Sequence, residues 1–166
     1  MAGRRDKTGQ RPRCYVACPH GFTASGRHYH AEVVLPALQR VVSPVDPWEL
    51  TDPAEFARAA AEATLHEFVI EVGRRNARAI RGCDLLAAFL DGQEVDAGTA
   101  AEVGFAAALG LPCAGLRTDL RRAGEEGARI NLQVQSFIEM SGGRIAATLD
   151  ELLEVLGTLA DGLSRG

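Results

Sequence analysis

Two carboxylates, Asp96 and Glu102, lie six residues apart in the stretch VDAGTAAEVG, with Gly98 and Thr99 between them. The apolar run LLAAFL (85–90) precedes this stretch and another apolar run follows, so it sits where a buried strand hands over to a helix. Two kinds of chemistry fit. In the first, Thr99-Ala-Ala-Glu102 is a capping box: the Thr99 hydroxyl accepts from the Glu102 amide, and the Glu102 carboxylate reaches back to the Thr99 amide. Asp96 is then a turn residue, and Gly98 relieves a strained backbone. In the second, the helix start holds Glu102 ionised through the helix dipole and nearby amides. An ionised carboxylate fixed at the carboxyl end of a strand can attack an anomeric carbon. Asp96 would then hold a sugar hydroxyl or relay a proton. The four residues of the capping box, taken alone, favour the first reading.

The rest of the sequence has to position these groups, and it alternates strands with helices. CYVAC (14–18) reads as a short buried strand stopped by Pro19, and PHGFTASGR as a loop in which Ser25 caps a helix over roughly 27–40. VVSPVDP supplies a second strand around 42–46, ended by Pro47. Thr51 or Asp52 caps the next helix, whose first turn holds Pro53 and Glu55. Its pattern persists to about Arg81, and Gly73 with the β-branched FVIEV stretch predicts two helices or one bent one. After the LLAAFL strand, a helix from Thr99 to about Leu109 ends at Gly110 and Pro112. CAGL (113–116) is a fourth strand, RTDLRRAGEEGAR a surface loop, INLQVQSFIEMSGG a helix and RIAA a last strand. Thr148 and Glu151 open a final helix as a capping box. The order predicts an α/β fold: a flavodoxin-like (Rossmann-like) doubly wound sheet of about five mainly parallel strands with helices on both faces. Ligands of such sheets bind beyond the carboxyl ends of the strands, which singles out the loops 19–26, 46–52, 91–98 and 117–130.

Composition bounds the partners. A chain of 166 residues with 46% hydrophobic and 24% charged residues suits one soluble domain, and a net charge of −4 gives its body no general attraction for nucleic acid or anionic membrane. The opening MAGRRDKTGQRPR is basic and polar and reads as a disordered tail over 1–13, ahead of a single domain over 14–163. It carries no apolar stretch of signal-peptide length, and no run of about 18 apolar residues occurs, so a cytoplasmic location is expected. Cys14, Cys18, Cys83 and Cys113 include no CxxC pair and read as reduced, half-buried thiols. Neither these nor His20, His28, His30 and His66 show metal-ligand spacing, so no metal and no cofactor is expected.

NARAIRGCDLLAAFLDGQEVDAGTAAEVGFAAALGLP resembles the core of the nucleoside 2-deoxyribosyltransferase family. That family's pattern runs Asn or Asp, a helix, an Asp before a strand, then Asp-x-Gly-Thr-x-x-Glu-x-Gly-x-Ala. YVACPHGF is similar to its first strand and loop, DPWEL to a second-strand ending of one bacterial branch, and INLQVQSF to a late segment bearing an asparagine. The resemblance spans about residues 14–160. It implies that Glu102 is the nucleophile at C1′ of a deoxyribose and that Asp96 binds the sugar, at its 5′-hydroxyl. It implies further that Asn76 lies near the base and Asp84 is structural. Gly98 belongs to the turn that meets substrate, and His20, Phe22 and Trp48 stand on the loops that wall the base, Phe22 and Trp48 either stacking on it or serving as ordinary core aromatics. Asn131 would reach the 5′-hydroxyl across a subunit boundary, which implies a homo-oligomer. The implied partners are 2′-deoxyribonucleosides and free nucleobases, with no nucleic acid polymer and no membrane. Gln133 stands where many members carry methionine, and Ala100 and Ala101 replace bulkier residues before the glutamate.

Base exchange would run by two displacements with net retention. Two rivals stay open. One is an N-glycoside hydrolase of (deoxy)nucleosides or deoxynucleoside monophosphates. Relatives acting on monophosphates tend to carry serine at the position of Asp96, whose charge would repel a phosphate dianion by about several kcal/mol if poorly solvated. The other is a non-catalytic nucleoside- or nucleotide-sensing domain.

Overall fold

The computed structural model describes residues 11–165. Most of the expected tail lies outside the described residues, but its last member does not belong to a tail: Arg13 opens the first strand, β1 (Arg13–Ala17). The other strands are β2 (Ser43–Val45), β3 (Leu85–Phe89), β4 (Cys113–Leu116) and β5 (Ile145–Ala146). They form one sheet in the order β2-β1-β3-β4-β5, and every pairing is parallel. The chain starts in the middle of the sheet, winds out to β2, then crosses to β3 and on to β5. The switch point therefore falls between β1 and β3. Every residue of β3 and β4 is buried, as the unbroken apolar runs LLAAF and CAGL require when helices cover both faces.

On one face Val34, Leu38, Leu152 and Leu156 pack over Cys14, Val16, Leu85 and Ala87. On the other, Ile80, Val103, Ala106, Val134 and Ile138 pack over Tyr15, Leu86 and Ala88. The helices that supply these residues differ from expectation at their ends. The first runs as α1 (Ala24–Tyr29), a π segment (His30–Val34) and α2 (Leu35–Leu38), and its cap is Thr23 rather than Ser25, with the Thr23 hydroxyl accepting from the Gly26 amide at 3.0 Å. Pro36 accounts for the π segment. It has no N–H for the carbonyl one turn earlier and its ring crowds that carbonyl, so the helix widens ahead of it. Asp52, not Thr51, caps α3 (Pro53–Ala61), and the break before α4 (Leu65–Arg81) comes at Ala63, whose φ is 56°, rather than at Gly73.

Asp96 caps α5 (Ala97–Ala108), Asn131 caps α6 (Leu132–Met140), and α7 (Leu149–Arg165) closes the fold. At the start of α7 the Glu151 amide donates to the Thr148 hydroxyl, half of the expected capping box, while the Glu151 carboxylate accepts from the amide of Ala147, one residue before the cap, rather than from that of Thr148. Among the described residues no helix is long and apolar enough to cross a membrane. All four cysteines are buried thiols, more enclosed than half-buried.

Candidate active site

The carboxyl ends of β1, β2 and β3 open onto a cavity of about 740 Å³. That size lies within the range of about 300–1,000 Å³ usual for small-molecule sites. Glu102, Asp96, Gly98, Asn76, Phe22 and Trp48 all line it, so six residues singled out in the sequence converge.

The capping box expected at Thr99 does not form. The helix begins three residues earlier, where Asp96 Oδ2 accepts from the Thr99 amide at 2.9 Å and the Thr99 hydroxyl at 3.2 Å. This frame buries Thr99 and puts Glu102 in the second turn, its side chain released from capping. Gly98 is not at a strained backbone position. A Cβ there would lie 3.1 Å from Asp96 Oδ2, so glycine makes room for the capping carboxylate.

Glu102 is held instead by long-range partners. The hydroxyl of Tyr15, from the fully buried middle of β1, donates to Oε1 at 2.6 Å, and Asn76 Nδ2 from α4 donates to the same oxygen at 3.4 Å. Both donors take Oε1; among the described residues no hydrogen bond falls on Oε2. Burial pushes the Glu102 carboxyl up, Tyr15 pulls it down, Asp96 raises it again and Asn76 lowers it, and it settles at about 7. The expectation of a carboxylate held ionised by the helix dipole is thereby corrected. Glu102 stands too deep in α5 to meet the free amides of the first turn, and burial wins.

Aromatic rings form the outer wall. Phe22 and Trp48 meet edge to face at 4.9 Å, and both are exposed rather than core residues. A Cβ on Gly21 would fall 2.1 Å from the Trp48 ring, so glycine lets the indole lie flat against the chain. The Trp48 indole N–H donates to the Cys18 carbonyl at 3.3 Å.

Beside this wall His30 Nε2 and Asp46 Oδ2 pair at 3.0 Å, while Cys18 Sγ approaches His30 Nδ1 at 3.7 Å. Burial opposes ionisation of the Cys18 thiol, yet hydrogen bonds from His20 and His30 outweigh it and bring the thiol down to about 7. Burial likewise lowers His30, but Asp46 and Cys18 carry it up to about 9.

Two expected residues stand elsewhere. His20 lies behind the wall, packed against Phe89 at 4.9 Å and His30 at 5.4 Å. Asn131 does not reach the cavity of its own chain; its Oδ1 accepts from the amides of Gln133 and Val134. Asp84 accepts from the Arg13 amide at 2.8 Å, a structural tie between β1 and β3. The loop after β4 also stays outside this cavity. Its first residue, Arg117, is fully buried and donates to the carbonyls of Leu90, Gly92 and Arg121.

Tyr15, Cys18 and Asp46 were not singled out as site residues from sequence. Tyr15 is one letter of an apolar run, and only the parallel register, which sets it beside Leu86, carries its hydroxyl to α5.

A sequence profile of the nucleoside 2-deoxyribosyltransferase family matches residues 14–141. Among solved structures, a conserved protein from Enterococcus faecalis V583 is 26% identical, with a TM-score of 0.61 over 89% of this chain and 98% of its own. A 2-deoxyribosyltransferase from Leishmania mexicana is 23% identical, with a TM-score of 0.64 over 89% and 97%. A CMP N-glycosidase from Clostridium botulinum shares the fold at 20% identity, with a TM-score of 0.51 over 88% and 98%. No curated protein sequence matches the chain.

Proposed function

The chain belongs to the nucleoside 2-deoxyribosyltransferase family, and from that premise we propose that it exchanges the base of 2′-deoxyribonucleosides through a deoxyribosyl–Glu102 intermediate. The observation that carries this reading is the asymmetry at Glu102: Tyr15 and Asn76 both bind Oε1, which leaves Oε2 for attack.

In the first displacement Oε2 bonds to C1′ as the C1′–N bond breaks. The bonding pair leaves with the base, which takes a proton from water. In the second, a ring nitrogen of another base attacks C1′, the C1′–Oε2 bond breaks and its electron pair returns to Glu102 as a free carboxylate, and the incoming base loses a proton. Positive charge builds at C1′ in both steps, and the adjacent carboxylate stabilises it. Asp96 has one oxygen committed to Thr99, and its other oxygen takes a sugar hydroxyl. Phe22 and Trp48 offer faces to the base, and Asn76 approaches it from α4. Asn131 acts on a neighbouring subunit's sugar, so the working form is a homo-oligomer. No cofactor enters the reaction.

The test is incubation with a 2′-deoxynucleoside and a different free base, beside a Glu102→Ala control. New nucleoside that vanishes in the variant supports transfer. Free deoxyribose without exchange would replace transfer by hydrolysis, and binding without turnover of any deoxynucleoside or deoxynucleotide would make this a sensing domain.

A further inference from the structure

We propose that Cys18, His20 and His30 form a binding site for a thiophilic divalent metal ion, zinc first among them, at the edge of the cavity. Cys18 directly follows β1, His20 lies in the turn after it, and His30 opens the π segment. Two separate stretches of chain thus bring three metal-ligating side chains together, with their ligand atoms all within 4.8 Å of one another. Linear spacing gave no sign of it, because the stretch from His20 to His30 is closed by the helix and not by a short ligand motif.

The distances suit coordination. Zinc bonds of about 2.3 Å to sulfur and about 2.0–2.1 Å to nitrogen, set at tetrahedral angles, place sulfur and nitrogen about 3.5 Å apart and two nitrogens about 3.4 Å apart. Cys18 Sγ lies 3.7 Å from His30 Nδ1, and His20 Nδ1 lies 3.2 Å from His30 Nδ1. These two pairs need shifts of only a few tenths of an ångström to take a metal, and the third, Cys18 with His20, lies within 4.8 Å.

The surroundings are those of a metal ligand too. Asp46 accepts from His30 Nε2 at 3.0 Å, and its other oxygen is fixed by the Trp48 amide at 3.0 Å. A proton on Nε2 leaves the Nδ1 lone pair aimed at Cys18 and His20, the arrangement by which a carboxylate orients a metal-binding imidazole. Charge balances as well: the Cys18 thiol and a protonated His30 Nδ1 each give up a proton to solvent as the metal binds, and the thiolate with the Asp46 carboxylate offsets a 2+ ion. No redox change is involved. Among the described residues the cluster has three ligands. The fourth position falls to water or to an atom presented from the cavity that Cys18 and His30 line.

The full chain, stripped with a chelator, is titrated with Co²⁺ and then Zn²⁺, with no nucleoside present, so the result stands apart from the transfer assay. The expected result is one equivalent bound, d–d absorption of tetrahedral intensity, and a sulfur-to-cobalt charge-transfer band that Zn²⁺ bleaches. Cys18→Ser removes that band, and Asp46→Asn weakens binding about 10- to 100-fold while keeping it. Absence of the cobalt spectrum, or a charge-transfer band that survives in Cys18→Ser, overturns the proposal. A second measurement needs no variant. Zn²⁺ slows iodoacetamide alkylation of Cys18 in the wild-type chain, read by peptide mass spectrometry, and an unchanged rate at saturating zinc also overturns it.

Discussion

As the proposed nucleophile, Glu102 faces opposing demands, since attack requires the ionised carboxylate and burial favours the proton. Its carboxyl stands at about 7 against an ordinary 4.5. The folded state therefore binds this proton more tightly than the unfolded chain does. The resulting stability is fully present below about 4.5 and is lost as pH rises through 7. Above that, the ionised carboxylate costs on the order of 1–3 kcal/mol. Glu102→Gln keeps an acceptor for Tyr15 and Asn76 while removing the charge. Thermal melts should show it more stable than wild type at pH 8, with the gap nearly closed at pH 5, and transfer should be abolished at both. A variant no more stable at pH 8 would mean that the carboxylate is better solvated than its burial suggests. In the wild type, kcat/KM should climb with pH through about 7 on its acid limb. Tyr15→Phe removes the donor that favours the ionised form. Its acid limb should move to higher pH, with kcat lower by about 10- to 100-fold, the worth of a hydrogen bond to a charged group. A lower rate with an unmoved acid limb would make Tyr15 a packing residue only.

The elements were far more legible than the contacts between them. Strands β1, β3 and β4 stand out as CYVAC, LLAAFL and CAGL because burial on both faces leaves no polar position to blur them. Helix starts were less secure. Asp96-x-x-Thr99 and Thr99-x-x-Glu102 are both sound N-terminal patterns, and periodicity cannot choose between frames three residues apart. The structure takes the aspartate, which buries Thr99 and frees Glu102 for the cavity. The turn at Ala63 was invisible for another reason: alanine carries no mark of the left-handed backbone it adopts at φ 56°. The pair of Tyr15 with Glu102, and the cluster of Cys18 and His30 with Asp46, depend on sheet register and a π segment, which no local pattern encodes. The cap also predicts how Asp96 divides its work. Asp96→Ala should lose about 0.5–2 kcal/mol in urea unfolding, whereas Asp96→Ser keeps a capping oxygen and most of that stability. Both should lose transfer activity if the carboxylate binds sugar. An Asp96→Ser enzyme with wild-type KM and kcat would reduce Asp96 to a cap.

At the scale of the whole molecule Glu102, Asn76, Asp96 and the aromatic rings of Phe22 and Trp48 line one cavity, all from one chain, and Tyr15 holds Glu102 from β1. Of the two site residues implied by the family pattern that stand outside that cavity, His20 and Asn131, the second is exposed at the start of α6. Its Oδ1 is spent on the amides of Gln133 and Val134, so only its NH₂ group is left to offer a substrate. Exposed Leu132 and Met140 at the two ends of α6 supply apolar surface beside it. If Asn131 serves a neighbour's sugar, then Asn131→Asp, which keeps the capping oxygen and loses the donor, should fold normally and lose activity. Each chain of a mixed oligomer would then lack a different half of the site. Co-refolding equal amounts of Asn131→Asp and Glu102→Ala chains should restore transfer. In a dimer, half the molecules are hybrid and one of their two sites is intact, which gives about a quarter of the wild-type rate. Restored activity requires two chains at one site. An inactive mixture, with Asn131→Asp inactive alone, would place Asn131 at the cavity of its own chain through movement of the loop before α6. Full activity of Asn131→Asp alone would remove it from the site altogether.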